Sequence, residues 1–324
     1  MNNFKKVGLT ALAGSLMASS VAVAGELAVS GAASISVTNR SQSAAGKTVA
    51  MANSVNFAGS GETDGGLSVS LSFELDNGAE AGGGPFDNHS VSVGSDTLGT
   101  LTVHGHGGSN AAAAIDATAA GDLWDNTLGI TTGSGNSGLT PKAGPSGAGL
   151  VVYTLPSLAD GVSVSASYAS EGENDEGSGA LGLTYTGIEG LTVKLGSGSD
   201  QSNSQVEADY TTMSASYAYG SFTVGLSNSE YDHTTASKDQ EVTSWAVSYT
   251  VNDDISISYG QETIENGRSS DYSADVEVDG ISASYTSGGM TVTATSIGAD
   301  NVDGSSTTAN NDNEFFKLSA SFAF

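Results

Sequence analysis

Asp116, Asp122, Trp124 and Asp125 share one long interval, residues 108–147, about 40 positions with no strand pattern of their own. Carboxylates gathered in such a stretch can cap turns, stay solvated, or face a passage and raise its cation concentration. Trp124 can pin the segment to a wall by packing or offer its face to a sugar, and packing is the reading taken. His104 and His106 precede the interval at spacing i, i+2, one face of a strand, where two imidazoles can pair on a metal. There is no cysteine and no obvious third ligand, so both are read as lining side chains with no metal. The acidic stretches Glu171 to Glu176 and Asp300 to Asp312 offer oxygens to weakly bound calcium, yet neither contains a twelve-residue calcium loop.

No catalytic constellation accompanies these residues. The chain lacks a Gly-x-Ser-x-Gly elbow, a phosphate-cradling glycine loop with lysine, and a His-Glu-x-x-His motif. Its four histidines, His89, His104, His106 and His233, are not arranged with a nucleophile or an acid pair. An enzyme is not expected, nor is a cofactor. The chain has 36 acids against 9 Lys and Arg, a formal net charge of −27. Nucleic-acid binding needs a basic footprint, and none exists.

The elements that must position these residues are strands. Residues 1–24 read as a secretory signal peptide: Lys5 and Lys6, an apolar stretch from Val7 to Val23, then Ala22-Val23-Ala24 before a cleavage site. Residues 25–324 form the folded domain. No later segment offers the run of about 18 apolar residues that a transmembrane helix needs. Instead, apolar and polar residues alternate. Leu67, Val69, Leu71 and Phe73 alternate with serines and Glu74, and Ile255, Ile257 and Tyr259 alternate with Ser256 and Ser258. Sixteen strands follow, at 26–37, 49–59, 67–76, 88–95, 98–107, 148–155, 161–169, 179–186, 190–198, 206–219, 221–228, 241–250, 254–262, 272–285, 289–297 and 314–324. Parity slips near Thr211-Thr212 and at Asp279-Gly280, and both slips are read as bulges.

Connections after even strands are short and those after odd strands are long and polar, which puts turns on one rim and loops on the other. Phe57, Tyr153, Tyr185, Tyr217, Tyr249, Tyr285 and Phe324 fall toward the short-turn ends. Phe73, Tyr168 and Tyr259 fall toward the loops. These are two interfacial aromatic belts. The expected fold is therefore an all-β, 16-stranded antiparallel transmembrane β-barrel. Its small serine and threonine side chains leave a wet bore.

The final strand, with Phe316, Leu318, Ala320, Phe322 and Phe324 on one face, resembles the signal read by the barrel-assembly machinery of Gram-negative outer membranes. The leader, sixteen strands, long third connection and terminal Phe324 together resemble the general bacterial porins. The flavour is that of the acidic alphaproteobacterial (Rhodobacter-like) members. The resemblance implies a homotrimer of passive diffusion channels, in contact with outer-membrane lipid and lipopolysaccharide. It also implies that connection 108–147 folds into the lumen as a constriction, and it places Asp116, Asp122 and Asp125 where the family's loop acids stand. The family's opposing arginine cluster is missing, because Arg40 and Arg268 are the only arginines and both fall in outer connections. Lys194 and Lys317, on inward parity, remain as isolated wall charges. The expected pore is cation-preferring. A substrate-specific channel and a surface adhesin are the alternatives.

Overall fold

The computed structural model describes residues 26–41, 47–76, 86–112, 119, 146–147, 149–170, 177–203, 206–235, 239–266, 274–302 and 312–324. Eighteen strands run through them. They are β1 (Glu26–Arg40), β2 (Lys47–Glu62), β3 (Ser68–Asp76), β4 (His89–Ser95), β5 (Gly99–His106), β6 (Gly108–Ser109), β7 (Ser146–Gly147), β8 (Leu150–Thr154) and β9 (Val162–Ser170). The second half holds β10 (Gly177–Tyr185), β11 (Leu191–Asn203), β12 (Val206–Tyr219), β13 (Phe222–His233), β14 (Gln240–Thr250), β15 (Ile255–Asn266), β16 (Val276–Ser287), β17 (Met290–Asp300) and β18 (Asn313–Ala323). Sixteen of them close into one antiparallel barrel in which β1 pairs with both β2 and β18. β6 and β7 form a separate two-stranded ribbon at the root of the third long connection. Closure leaves no unpaired sheet edge, which is the condition for a sheet to sit in hydrocarbon.

Side-chain period two gives the barrel its two surfaces. Leu27, Val29, Ile35 and Val37 of β1, and Phe316, Leu318 and Phe322 of β18, point outward and are exposed. Ser34, Ser36 and Thr38 share the inner face with Ser319, Ser321 and Lys317. The hairpins on the short-turn rim are tight. Gly220 (φ 59°) and Gly288 (φ 59°) take the left-handed first position of two-residue turns, a conformation any other residue would strain. At the seam, the Phe324 amide donates to the Gly31 carbonyl (3.0 Å) and the Gly31 amide donates to the Phe324 carbonyl (2.7 Å). The Phe324 ring lies where a side chain at position 31 would be, so Gly31 makes room for the last aromatic.

Three expectations are corrected. First, the ladders through Thr211-Thr212 and Asp279-Gly280 run without a register shift. The parity slips are therefore inversions of polarity. At the long-connection ends of β12 and β16, Ala208, Tyr210, Val276 and Val278 point inward and are buried. Asp209, Thr211, Glu277 and Asp279 point outward and are exposed. Beyond the hydrocarbon the outer surface meets water, so charge belongs outside and apolar groups inside. Second, Phe57 and Phe73 do not belong to opposite belts. They are cross-strand partners, stacked at 4.8 Å, and Phe86 meets Phe73 edge-on at 5.0 Å. β2 runs on to Glu62, farther than its alternation suggested. Third, Arg40 is the last residue of β1 and has inward parity. Its guanidinium sits 5.8 Å from the centre of the Phe315 ring.

Candidate pore lining

The third long connection meets the inner wall at Asn110, Ala111 and Ala112, and at Ala119. After β6, Asn110 is buried and accepts hydrogen bonds at Oδ1 from the Tyr210 hydroxyl (2.8 Å) and the Ala112 amide (3.0 Å). The Ala111 amide donates to Ser167 Oγ of β9 (2.8 Å). The Ala119 amide donates to Ser244 Oγ of β14 (2.6 Å) and Ser227 Oγ of β13 (3.1 Å). Ser167, Ser227 and Ser244 are lumen-facing by register, so Ala111 rests on the inner face of β9 and Ala119 on the inner faces of β13 and β14. Glycines make the wall shallow beneath it. A Cβ at Gly182 would strike the Ala111 carbonyl, one at Gly196 would lie 2.9 Å from Ala112, and one at Gly225 would lie 3.3 Å from Ala119. The Ala111 and Ala119 amides thus donate to wall hydroxyls, which satisfies backbone donors that pack against the barrel.

Asp116 falls in sequence between Ala112 and Ala119, both of which touch the wall, but it lies outside the described residues. Asp122, Trp124 and Asp125 lie outside them too. His104 keeps inward parity, level with Ser90 and Leu150, with its ring against Gly108. His106 does not share its face. The register shifts between His89 and Ser90, which sets His106 opposite His89, and the His106 ring meets the Asp87 carbonyl. This bulge at Gly105 separates the i, i+2 pair. Lys194 lies level with Thr184 and Ser214 on β11's inner face. Lys317 lies level with Thr38 and Thr295, on the far side of the barrel. The two lysines are not brought together. Among the described residues, no group of three or more His, Asp or Glu could hold a metal ion, and most of both acidic stretches lies outside those residues.

Two inner features were not anticipated from the sequence. The Tyr231 hydroxyl donates to Asp200 Oδ2 (2.8 Å), which ties β13 to β11 beside the Tyr210–Asn110 bond. On β14–β18, the inward positions nearest the long connections form a closed apolar cluster: Val242, Ile264, Val276, Val278, Ile297, Ala299 and Phe315, joined by Val302. The polarity inversion at Asp279-Gly280 was its sequence signal.

An apolar exterior, a hydroxyl-bearing interior and a third connection whose Asn110, Ala111 and Ala119 rest on the inside wall define a class, the transmembrane β-barrels built as channels. The Gram-negative porin family model matches residues 8–304, and the chain belongs to that family, whose members are channel proteins of the outer membrane. Solved structures share the fold at low identity. The anion-selective porin from Comamonas acidovorans superimposes with a TM-score of 0.67 at 14% identity, over 93% of this chain and 100% of its own. The trimer form of OmpT, an outer membrane protein of Vibrio cholerae, gives 0.64 at 17% identity, over 93% and 100%. A mutant of Rh. blastica porin gives 0.62 at 14% identity, over 92% and 100%. No curated protein matches the sequence.

Proposed function

We propose that this porin is a passive diffusion channel for small hydrophilic solutes and ions, with a preference for cations. The observation that carries the reading is that Ala111, Ala112 and Ala119 of the third connection are seated on the inner wall, where a segment reduces the width of the passage. Asp116, Asp122 and Asp125 line the constriction, with Trp124 holding the segment in place. His104, Lys194 and Lys317 contribute wall groups, while His106 lies off that face. Carboxylates in a narrow aqueous passage raise the local cation concentration, and this is the source of the preference.

Residues 1–24 act as a leader removed on export, and residues 25–324 are the working barrel. The terminal strand ending in Phe324 is handed to the barrel-assembly machinery. The assembled protein is a homotrimer in contact with lipid and lipopolysaccharide. The trimer form of the Vibrio cholerae protein with the same fold supports the oligomeric part. Purified protein in planar bilayers tests the reading. It should give stepwise conductance with a reversal potential on the cation side. A barrel that inserts without conducting would favour a structural or adhesive role.

A further inference from the structure

The inner face of this barrel is not uniform at the long-connection end. On β14–β18, Val242, Ile264, Val276, Val278, Ile297 and Phe315 are each at most 4% exposed. They form one cross-strand patch: Val242 pairs with Ile264, Ile264 with Val276, and Ile297 with Phe315. The chain leaving β17 turns at Asn301 (φ 56°), whose side-chain Nδ2 donates to the Asp275 carbonyl (3.1 Å), and Val302 then packs into the patch. Water is excluded from this sector. Beyond β1 the inner face differs. Ala50 and Ala52 of β2 and Asp76 of β3 have inward parity and are exposed, with Glu74 half-buried beside them. Arg40, stacked over Phe315, marks the border between the dry sector and the open one.

The acids divide the same way, apart from Glu262 of β15, which has inward register and is fully buried opposite Val278 and Ser244. Glu241, Glu265, Glu277, Asp279 and Asp300 have outward register on β14–β17, away from the bore. Inward carboxylates that water reaches at this level are Glu74 and Asp76, on a sector that also carries Arg40 and Lys317.

We infer that the water path at the long-connection end is eccentric. It runs along β1, β2 and β3, and Glu74 and Asp76, offset by Arg40 and Lys317, set its ion preference there, while the larger group of outward carboxylates does not. This rests on the diffusion-channel reading and locates its selectivity. The chain has no cysteine, so single replacements report cleanly. Full-length protein in liposomes is treated with a positively charged, water-soluble methanethiosulfonate, and labelling is read by mass. Ala50→Cys and Ala52→Cys should label at least tenfold faster than Ile264→Cys and Val278→Cys. Equal rates would overturn the eccentric path. Because labelling is read without conductance, a non-conducting barrel would refute the diffusion reading separately. In bilayers, Glu74→Gln with Asp76→Asn should lower the cation-to-anion permeability ratio at least twofold. Glu277→Gln with Asp279→Asn should leave it unchanged and, being exposed, should not impair folding. The opposite ranking, or equal effects, would overturn the assignment.

Discussion

At the scale of single residues, hydroxyl-to-amide bonds hold Ala111 and Ala119 of the third connection against the inner wall. The Ala119 amide rests on two serines that also bond each other at 2.6 Å. Removing both hydroxyls forfeits interactions of about 1 kcal/mol each. Ser227→Ala with Ser244→Ala should therefore keep the barrel folded but give larger, noisier single-channel steps; unchanged steps would mean that these serines do not hold the connection. Gly196→Val should act more strongly, since its side chain would press on Ala112 at a distance already tighter than ordinary contact. Replacing Asp116, Asp122 and Asp125 by Asn should move the reversal potential toward zero, and no movement would remove them from the constriction. Little of this seating was legible beforehand. A serine or glycine that docks a backbone looks the same in sequence as one that merely faces water. The His104–His106 spacing misled for a related reason, because a single extra residue at Gly105 redirects every side chain after it.

At the scale of elements, alternation made most strands readable, since one face meets lipid and the other a polar bore. It failed where that condition ends. At the loop ends of β12 and β16 the outside meets water and the inside is apolar, so an unbroken strand imitates a bulge. The same inversion predicts a mechanical role for Phe315, 2% exposed within the inner cluster. Phe315→Ala should cost about 3–5 kcal/mol, seen as a lower melting temperature of the detergent-solubilised barrel. Exposed Phe316→Ala, on the neighbouring outward position, should change it far less. The seam gives a second expectation. Gly31→Val puts a side chain where the Phe324 ring lies, so it should slow closure of β1 on β18 and leave more unassembled chain in a gel-shift assay of heat-modifiability. Assembly at the normal rate would show that the terminal ring can sit elsewhere.

For the whole molecule, fold class, strand count and localisation follow from patterning and the family match. Net charge proved a blunt guide, because −27 counts carboxylates irrespective of which surface they occupy, and much of the strand-borne acid points outward. Exposed carboxylates are screened by salt, so any cation preference should weaken as ionic strength rises. The most direct measurement is the zero-current potential of the purified protein across a planar bilayer in a KCl gradient, taken at low and high salt. Stepwise conductance with a potassium-side potential that shrinks at high salt is expected. A chloride-side potential at low salt, or a barrel that inserts and never conducts, would contradict the account.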